Sequence, residues 1–115
     1  MDTTKSKLYS LEMFDDDEPE FVNSIVEMFV VNTPDSITAI KKAFADDNME
    51  ELRQFSHKLK PHFTFFGISH IQRALQMIED IARGNGDKEN LSDLIEYVEK
   101  NSIPVIDQMK TDFPS

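Results

Sequence analysis

The sequence contains no cysteine, only three glycines and no long hydrophobic run. The missing cysteine excludes a disulfide framework, thiolate metal ligands and a thiol nucleophile. No stretch approaches the roughly eighteen consecutive apolar residues of a membrane span, and the first residues lack the apolar run of a signal peptide. We therefore expect a cytoplasmic protein that does not enter the membrane.

Positive charge is also scarce, because 12 Lys and Arg residues stand against 22 Asp and Glu residues and give a net charge of -10. Nucleic-acid binding needs a cationic surface, and an anionic membrane repels an acidic chain, so neither is an expected partner. The charge is unevenly distributed, however. Between Arg53 and Arg83, five basic residues accompany two acidic ones, which gives a local charge of +3. This basic segment is the place to expect a small bound anion.

The scarcity of glycine and the absence of sustained strand-like alternation favour helices. A length of 115 residues fits one domain, 1–115, with a core that needs no covalent staples. Apolar residues recur at helical spacing in four segments, near 18–46, 47–67, 69–83 and 88–109. The predicted inward rows are Val22, Ile25, Phe29, Ser36, Ile40 and Phe44; Leu52, Phe55, Leu59, Phe63 and Phe66; Ile71, Leu75, Ile78 and Ala82; and Leu91, Ile95, Val98, Ser102, Val105 and Met109.

Cap and turn residues define the predicted ends of these helices. A short first helix is predicted over residues 7–14, entered from Ser6. Pro34 falls on the solvent side of its helix, where a bend is easily tolerated. Gly67 is a natural left-handed cap, and Ser69 is the predicted N-cap of the following helix. The sequence thus predicts an all-α fold, an antiparallel up-down-up-down four-helix bundle with a short extra N-terminal helix.

One histidine lies on the outward side of the 47–67 helix. On a helical wheel of about 100° per residue, His57 points about 140° away from Leu52 of the inward row. A neutral imidazole nitrogen is a competent nucleophile, and nearby cations can hold a transferring phosphoryl group. The residues that share its outward surface, at spacings of three, four and seven, are Arg53, Lys60, Pro61 and Thr64.

The run of residues 56–67 and the later Ile78-Glu79 pair resemble the signature of histidine-containing phosphotransfer (HPt) domains. In that family the pattern reads His-x-Leu-Lys-Gly, then a glycine ten residues after the histidine, then an apolar-Glu pair on the next helix. The resemblance covers essentially the whole chain, and the family's fold is the bundle that the periodicity predicts. The matching residues are His57, Leu59, Lys60, Gly67 and Glu79.

The resemblance implies a phosphorelay intermediate. His57 would accept a phosphoryl group from the aspartyl phosphate of one receiver domain and pass it to an aspartate of another. Lys60 would bind the phosphoryl oxygens and Glu79 would orient the imidazole. The supporting residues would be Arg53, Pro61, Thr64, Gly67 and Arg83.

The resemblance also indicates the partners. These are response-regulator receiver domains or a hybrid sensor histidine kinase, which would dock on an apolar surface that includes Leu11, Phe14 and Phe65. The Mg²⁺ of the exchange belongs to the receiver, so no cofactor or metal of this chain is expected. We expect a monomer, and one without ATP-dependent kinase activity, because the three glycines supply no phosphate-cradling loop.

Two alternatives stand beside this interpretation. Pro61 replaces the glycine that most family members have, which removes a backbone hydrogen bond to the His57 carbonyl and predicts a bend. The chain could thus be a non-catalytic HPt-like interaction module whose proline has cost it transfer. A small metal-binding bundle is the other alternative, although His62 and His70 lack the i,i+4 spacing to His57 of a helical metal pair.

Overall fold

The computed structural model describes residues 7–114 and contains four α-helices. These are α1 (Pro19–Ala45), α2 (Met49–Phe65), α3 (Ser69–Ala82) and α4 (Leu91–Asp112). Single 3-10 turns precede α1 at Glu12–Phe14 and α4 at Lys88–Asn90. No strand occurs among the described residues, so the all-α prediction is confirmed.

Each helix packs against two neighbours, since α1 and α3 both contact α2 and α4. Apolar side chains from all four helices form one core. Within this core the ring of Phe29 lies edge-on to Phe63 and Phe66, with centroids 5.3 and 5.2 Å away. Within residues 7–114, no helix has the length and apolar character needed to span a membrane.

The predicted inward rows are largely confirmed in α2, α3 and α4, where every predicted residue except Phe55 and Ala82 is buried. The prediction for α1 is wrong in part, because Ile25, Ser36 and Phe44 are only half-buried. The buried face of α1 also includes four residues that the prediction left out. The residues that complete this face are Val26, Thr33, Ile37 and Ala43.

A left-handed glycine ends α2, as predicted. Gly67 has a φ of 67°, and the N–H of Ile68 donates to the Phe63 carbonyl at 2.9 Å in a Schellman motif. A Cβ at Gly67 would also lie only 3.2 Å from that of Ser10. The predicted cap at Ser69 is wrong, because Ser69 is the first residue of α3 and no side chain caps that helix.

The turn between α1 and α2 has the same backbone motif without a glycine. Asp47 occupies the left-handed region with a φ of 56°, and the N–H of Asn48 donates to the Ala43 carbonyl at 2.8 Å. The Asn48 side chain then accepts a hydrogen bond from the N–H of Glu51 at 3.1 Å and caps α2.

The helix predicted over residues 7–14 is wrong, because only Glu12–Phe14 forms a single 3-10 turn. Residues 7–10 instead cross the end of the bundle as a segment that we call the N-terminal strap. Ser6, the predicted entry residue, lies outside the described residues.

Tertiary contacts explain why the strap is not helical. The N–H of Leu8 donates to Oε1 of Gln108, and the N–H of Ser10 donates to the Phe66 carbonyl, both at 2.7 Å. The Tyr9 ring is buried against the core. Distant parts of the chain therefore satisfy the strap's polar groups, which removes the need for a helix.

Candidate functional site

The imidazole of His57 projects from α2 toward solvent. Its side chain is 60% exposed, in agreement with the helical wheel. Nδ1 lies 3.1 Å from Oε2 of Glu79 on α3, whereas Nε2 makes no hydrogen bond to any residue in the described part of the chain. One ring nitrogen is thus anchored to the protein, and the other is open to a partner.

The carboxylate of Glu79 is the centre of the site. Its side chain is only 2% exposed, and it lies in the interface between α2 and α3. Oε1 accepts a hydrogen bond from Lys60 Nζ at 2.9 Å, and Oε2 accepts one from the Arg83 guanidinium at 2.7 Å. These two cations compensate the buried negative charge.

The protonation of Glu79 determines which imidazole nitrogen carries the proton. Burial alone would raise the pKa of Glu79, but the hydrogen bond and charge of Lys60, and then those of His57, outweigh burial and hold the pKa below its ordinary value of 4.5. Glu79 is therefore ionised at neutral pH and can only accept hydrogen bonds. It follows that Nδ1 of His57 is the donor, and that the neutral ring has its lone pair on Nε2.

Lys60 is held by a second residue of α3 that the sequence interpretation missed. The Lys60 side chain is only 17% exposed, and Nζ donates to Oε1 of Gln76 as well as to Glu79. The Gln76 amide in turn donates from Nε2 to Oδ1 of Asp80 at 2.9 Å. The only sequence signal for Gln76 is its position three residues before Glu79, which puts both on the side of α3 that faces α2.

Three of the predicted supporting residues lie outside this network. The Arg53 guanidinium donates to both carboxylate oxygens of Glu50 on its own helix, at 3.3 and 2.6 Å. The Thr64 hydroxyl donates to the backbone carbonyl of Lys60 at 3.3 Å. Pro61 is exposed, and α2 continues through it for one more turn.

An apolar groove lies beside the site, between α1 and α2. Phe65, one of the predicted docking residues, is 45% exposed at its edge, whereas Leu11 and Phe14 are partly buried against the core. Burial lowers the pKa of His62, which lines the same groove. The cavity measures about 200 Å³ and is lined by Ile25, Met28, Phe29, Asn32, His62, Phe65 and Phe66.

The remaining histidines occupy separate places. His62 lies in the apolar groove, and the ring of His70 contacts that of Tyr97 with a centroid distance of 6.1 Å. Among residues 7–114, no three His, Asp or Glu side chains converge closely enough to hold a metal ion.

Comparison with known proteins identifies the family of this chain. The family model of the Hpt domain matches residues 24–112, which include all of α2, α3 and α4 and most of α1. No curated protein and no solved structure gives a significant match. The matched segment covers well over half of the sequence and contains His57, Lys60 and Glu79. The chain therefore belongs to the Hpt domain family, the phosphocarrier modules of histidine phosphotransfer in phosphorelays.

Proposed function

We propose that this chain carries phosphoryl groups in a multistep two-component phosphorelay. His57 accepts the group from the aspartyl phosphate of one receiver domain and passes it to an aspartate of another. The observation that carries the proposal is the exposed imidazole, whose Nδ1 is bound by a buried, ionised carboxylate. That arrangement leaves the Nε2 lone pair as the nucleophile.

The proposed transfer is a displacement at phosphorus. The Nε2 lone pair attacks, the N–P bond forms, and the P–O bond to the receiver aspartate breaks so that its carboxylate leaves. The Nδ1 proton stays on the ring, where Glu79 stabilises the positive charge that the ring acquires. Transfer to the next receiver is the same displacement with the imidazole of His57 as the leaving group.

Lys60 supplies positive charge to the phosphoryl oxygens. Two of its three ammonium N–H groups are engaged by Gln76 and Glu79, which leaves one for a phosphoryl oxygen. Arg83 is bound to the same carboxylate and is 47% exposed, so its remaining N–H groups add a second cation near the imidazole.

The apolar groove is the proposed docking surface for receivers. Phe65 lies eight residues after His57, about 12 Å along α2, and Met28 on α1 is 58% exposed on the groove's other side. Leu11 and Phe14 support the surface from the end of the bundle, where the ring of Phe14 packs 5.5 Å from that of Phe66.

Several further properties belong to this proposal. The turns between consecutive helices are short, which supports an antiparallel up-down-up-down bundle. We expect residues 1–115 to form one monomeric, cytoplasmic domain that binds no cofactor and takes no phosphate from ATP, with Mg²⁺ needed only on the receiver. Sedimentation velocity and incubation with γ-labelled ATP test the monomer and the missing kinase activity directly.

The central experiment incubates the chain with a receiver domain that carries a ³²P-labelled aspartyl phosphate. We expect acid-labile, base-stable label on the wild type and none on His57→Gln. His70→Gln is the matched control, because it removes an imidazole far from Glu79, and it should be labelled like the wild type.

The outcomes separate the proposal from its alternative. If none of several receivers transfers acid-labile label to the wild type, the phosphocarrier function is overturned. If those receivers still bind the unlabelled chain, the chain is an interaction module on the same bundle. Label on His57→Gln would assign the phosphorylated residue elsewhere.

A further inference from the structure

The side chains of Gln76 and Asp80 on α3 are linked to Lys60 by hydrogen bonds, although neither residue belongs to the His-x-Leu-Lys motif or the apolar-Glu pair. Gln76 and Asp80 are one helical turn apart and both half-buried. The Gln76 amide connects them, because its oxygen accepts from Lys60 Nζ while its nitrogen donates to Asp80 Oδ1 at 2.9 Å. The three residues form a chain of hydrogen bonds that ends at the ammonium group.

A lysine needs such support in order to bind a phosphoryl group in a fixed place. Its four-carbon stem is flexible, and its ammonium group is a point charge without a preferred orientation. Glu79 alone would anchor Lys60 at one point, whereas Glu79 and Gln76 together restrain the ammonium group from two sides. The third N–H is then held ready for an incoming oxygen.

The orientation of the Gln76 amide group matters as much as its position. If the amide were reversed, its NH₂ group would face the ammonium group and repel it. The Asp80 carboxylate is acceptor-only when ionised, so it binds the NH₂ end and leaves the oxygen toward Lys60. Asp80 thereby selects the orientation in which Gln76 can hold Lys60.

A neutral acceptor also suits the chemistry better than a second carboxylate. Glu79 already offsets one positive charge in the site, and a carboxylate at position 76 would offset another. The site would then attract a dianionic phosphoryl group less strongly. An amide holds the ammonium group without reducing its charge.

We propose that Gln76 and Asp80 are positioning residues for phosphoryl transfer, which hold the Lys60 ammonium group in place for the phosphoryl oxygens. This inference rests on the proposed function of His57. It assigns a role to two residues outside the motif: the Gln76 side chain accepts a hydrogen bond from Lys60, and the Asp80 side chain accepts one from Gln76.

The kinetic test measures the rate of label transfer from a phosphorylated receiver to each variant. We expect Gln76→Ala to slow transfer about tenfold, Asp80→Ala about threefold, and Gln76→Glu about tenfold despite keeping an acceptor oxygen. Gln72→Ala is the matched control, since it removes a half-buried glutamine one turn earlier on α3, and it should transfer at the wild-type rate.

A double-variant comparison shows whether the effect passes through Lys60. In a Lys60→Ala background, Gln76→Ala should slow transfer no further, because the ammonium group that it positions is already absent. Full additivity of the two substitutions would overturn the proposal, as would a wild-type rate for Gln76→Ala.

A third readout is independent of phosphoryl transfer. Restrained, hydrogen-bonded ammonium protons exchange slowly with water, so the Lys60 ammonium signal should be visible by NMR in the wild type and broadened in Gln76→Ala. An unchanged signal overturns the positioning role. A wild-type chain that takes up no label overturns the proposed function itself, and with it the role of this pair in transfer.

Discussion

At the scale of single residues, one buried carboxylate organises the site. Glu79 accepts hydrogen bonds from His57, Lys60 and Arg83, so one acid orients the imidazole and gathers two cations. The sequence pointed to His57, Lys60 and Glu79 through a motif. It gave no comparable signal for Gln76, because the packing of α2 against α3 decides what a glutamine on that face contacts.

The lowered pKa of Glu79 gives the stability of the protein a defined pH dependence. A carboxyl group whose pKa is lower in the folded state stabilises the fold above its ordinary pKa of 4.5, and that contribution is lost as the pH falls through the folded-state value. We expect Glu79→Gln to lower the free energy of unfolding by about 1 to 3 kcal/mol at neutral pH, since it leaves Lys60 and Arg83 without their counter-charge.

Urea unfolding of wild type and Glu79→Gln, at neutral pH and at several pH values below 4.5, measures this effect. The difference between the two proteins should shrink as the pH falls. A difference that stays constant over that range would show that the ionised carboxylate of Glu79 does not stabilise the fold.

Lys60 is more buried than its outward position on the wheel suggested, with a side chain only 17% exposed. We expect Lys60→Ala to slow phosphoryl transfer about a hundredfold, by analogy with the loss of one transition-state donor. Its cost in stability should be about 1 to 2 kcal/mol, because Glu79 loses one partner. Transfer assays and urea unfolding on the same samples separate the two effects.

Lys100→Ala is the control for this variant, because Lys100 is exposed and pairs with Glu96 on its own helix. It should change neither transfer nor stability measurably. If Lys60→Ala destabilises the fold strongly but leaves transfer by the folded fraction unchanged, Lys60 has a structural role and none in transfer.

At the scale of elements, sequence periodicity predicted α2, α3 and α4 well and the N-terminal segment badly. A row of apolar residues three and four positions apart indicates which face of a helix is buried in the core. In α1, Thr33 and Ala43 are buried outside the predicted row, because a hydroxyl-bearing or a very small side chain gives only a weak sequence signal of burial. In the N-terminal strap, acceptors on Gln108 and Phe66 replace the local hydrogen bonds of a helix. Local sequence patterns cannot predict partners that lie so far away in the sequence.

The turn after α1 offers a test of local backbone strain. Asp47 has a φ of 56°, a region in which a side chain carries a steric cost and glycine does not. We expect Asp47→Gly to raise the free energy of unfolding by about 0.5 to 1 kcal/mol, measured by urea unfolding. Asp47→Ala also removes the charge but keeps a Cβ, so it should lower stability. If Asp47→Ala also stabilised the fold, the gain in stability would come from removal of the charge and not from relief of backbone strain.

At the scale of the whole molecule, an acidic bundle presents one basic site. The net charge is -10, yet residues 53–83, which include His57, contain five basic residues and only two acidic ones. The apolar groove is lined in part by residues of α2, the helix that presents His57, so a partner that docks as proposed would meet both an apolar surface and a cationic site. This combination suits a receiver whose active site is acidic and whose surrounding surface is apolar.

Docking through the groove predicts that affinity depends on Phe65. We expect Phe65→Ala to weaken binding of a receiver domain about tenfold, because exposed aromatic residues at interfaces carry much of the binding energy. Titration calorimetry with the receiver used in the transfer assay measures the change. Ile103→Ala, which truncates a similarly exposed apolar residue on α4, should bind like the wild type. Equal loss in both variants would place the docking surface elsewhere.

The N-terminal strap also bears on the order of events in folding. It joins Leu8 to Gln108, positions 100 residues apart, whereas neighbouring helices meet through short turns. Closing so long a loop is entropically expensive and yields few contacts, so the strap should dock only after the bundle has formed and should open first. Hydrogen exchange at the Leu8 and Ser10 amides would then report local opening, while the buried amides of α3 report unfolding of the entire domain.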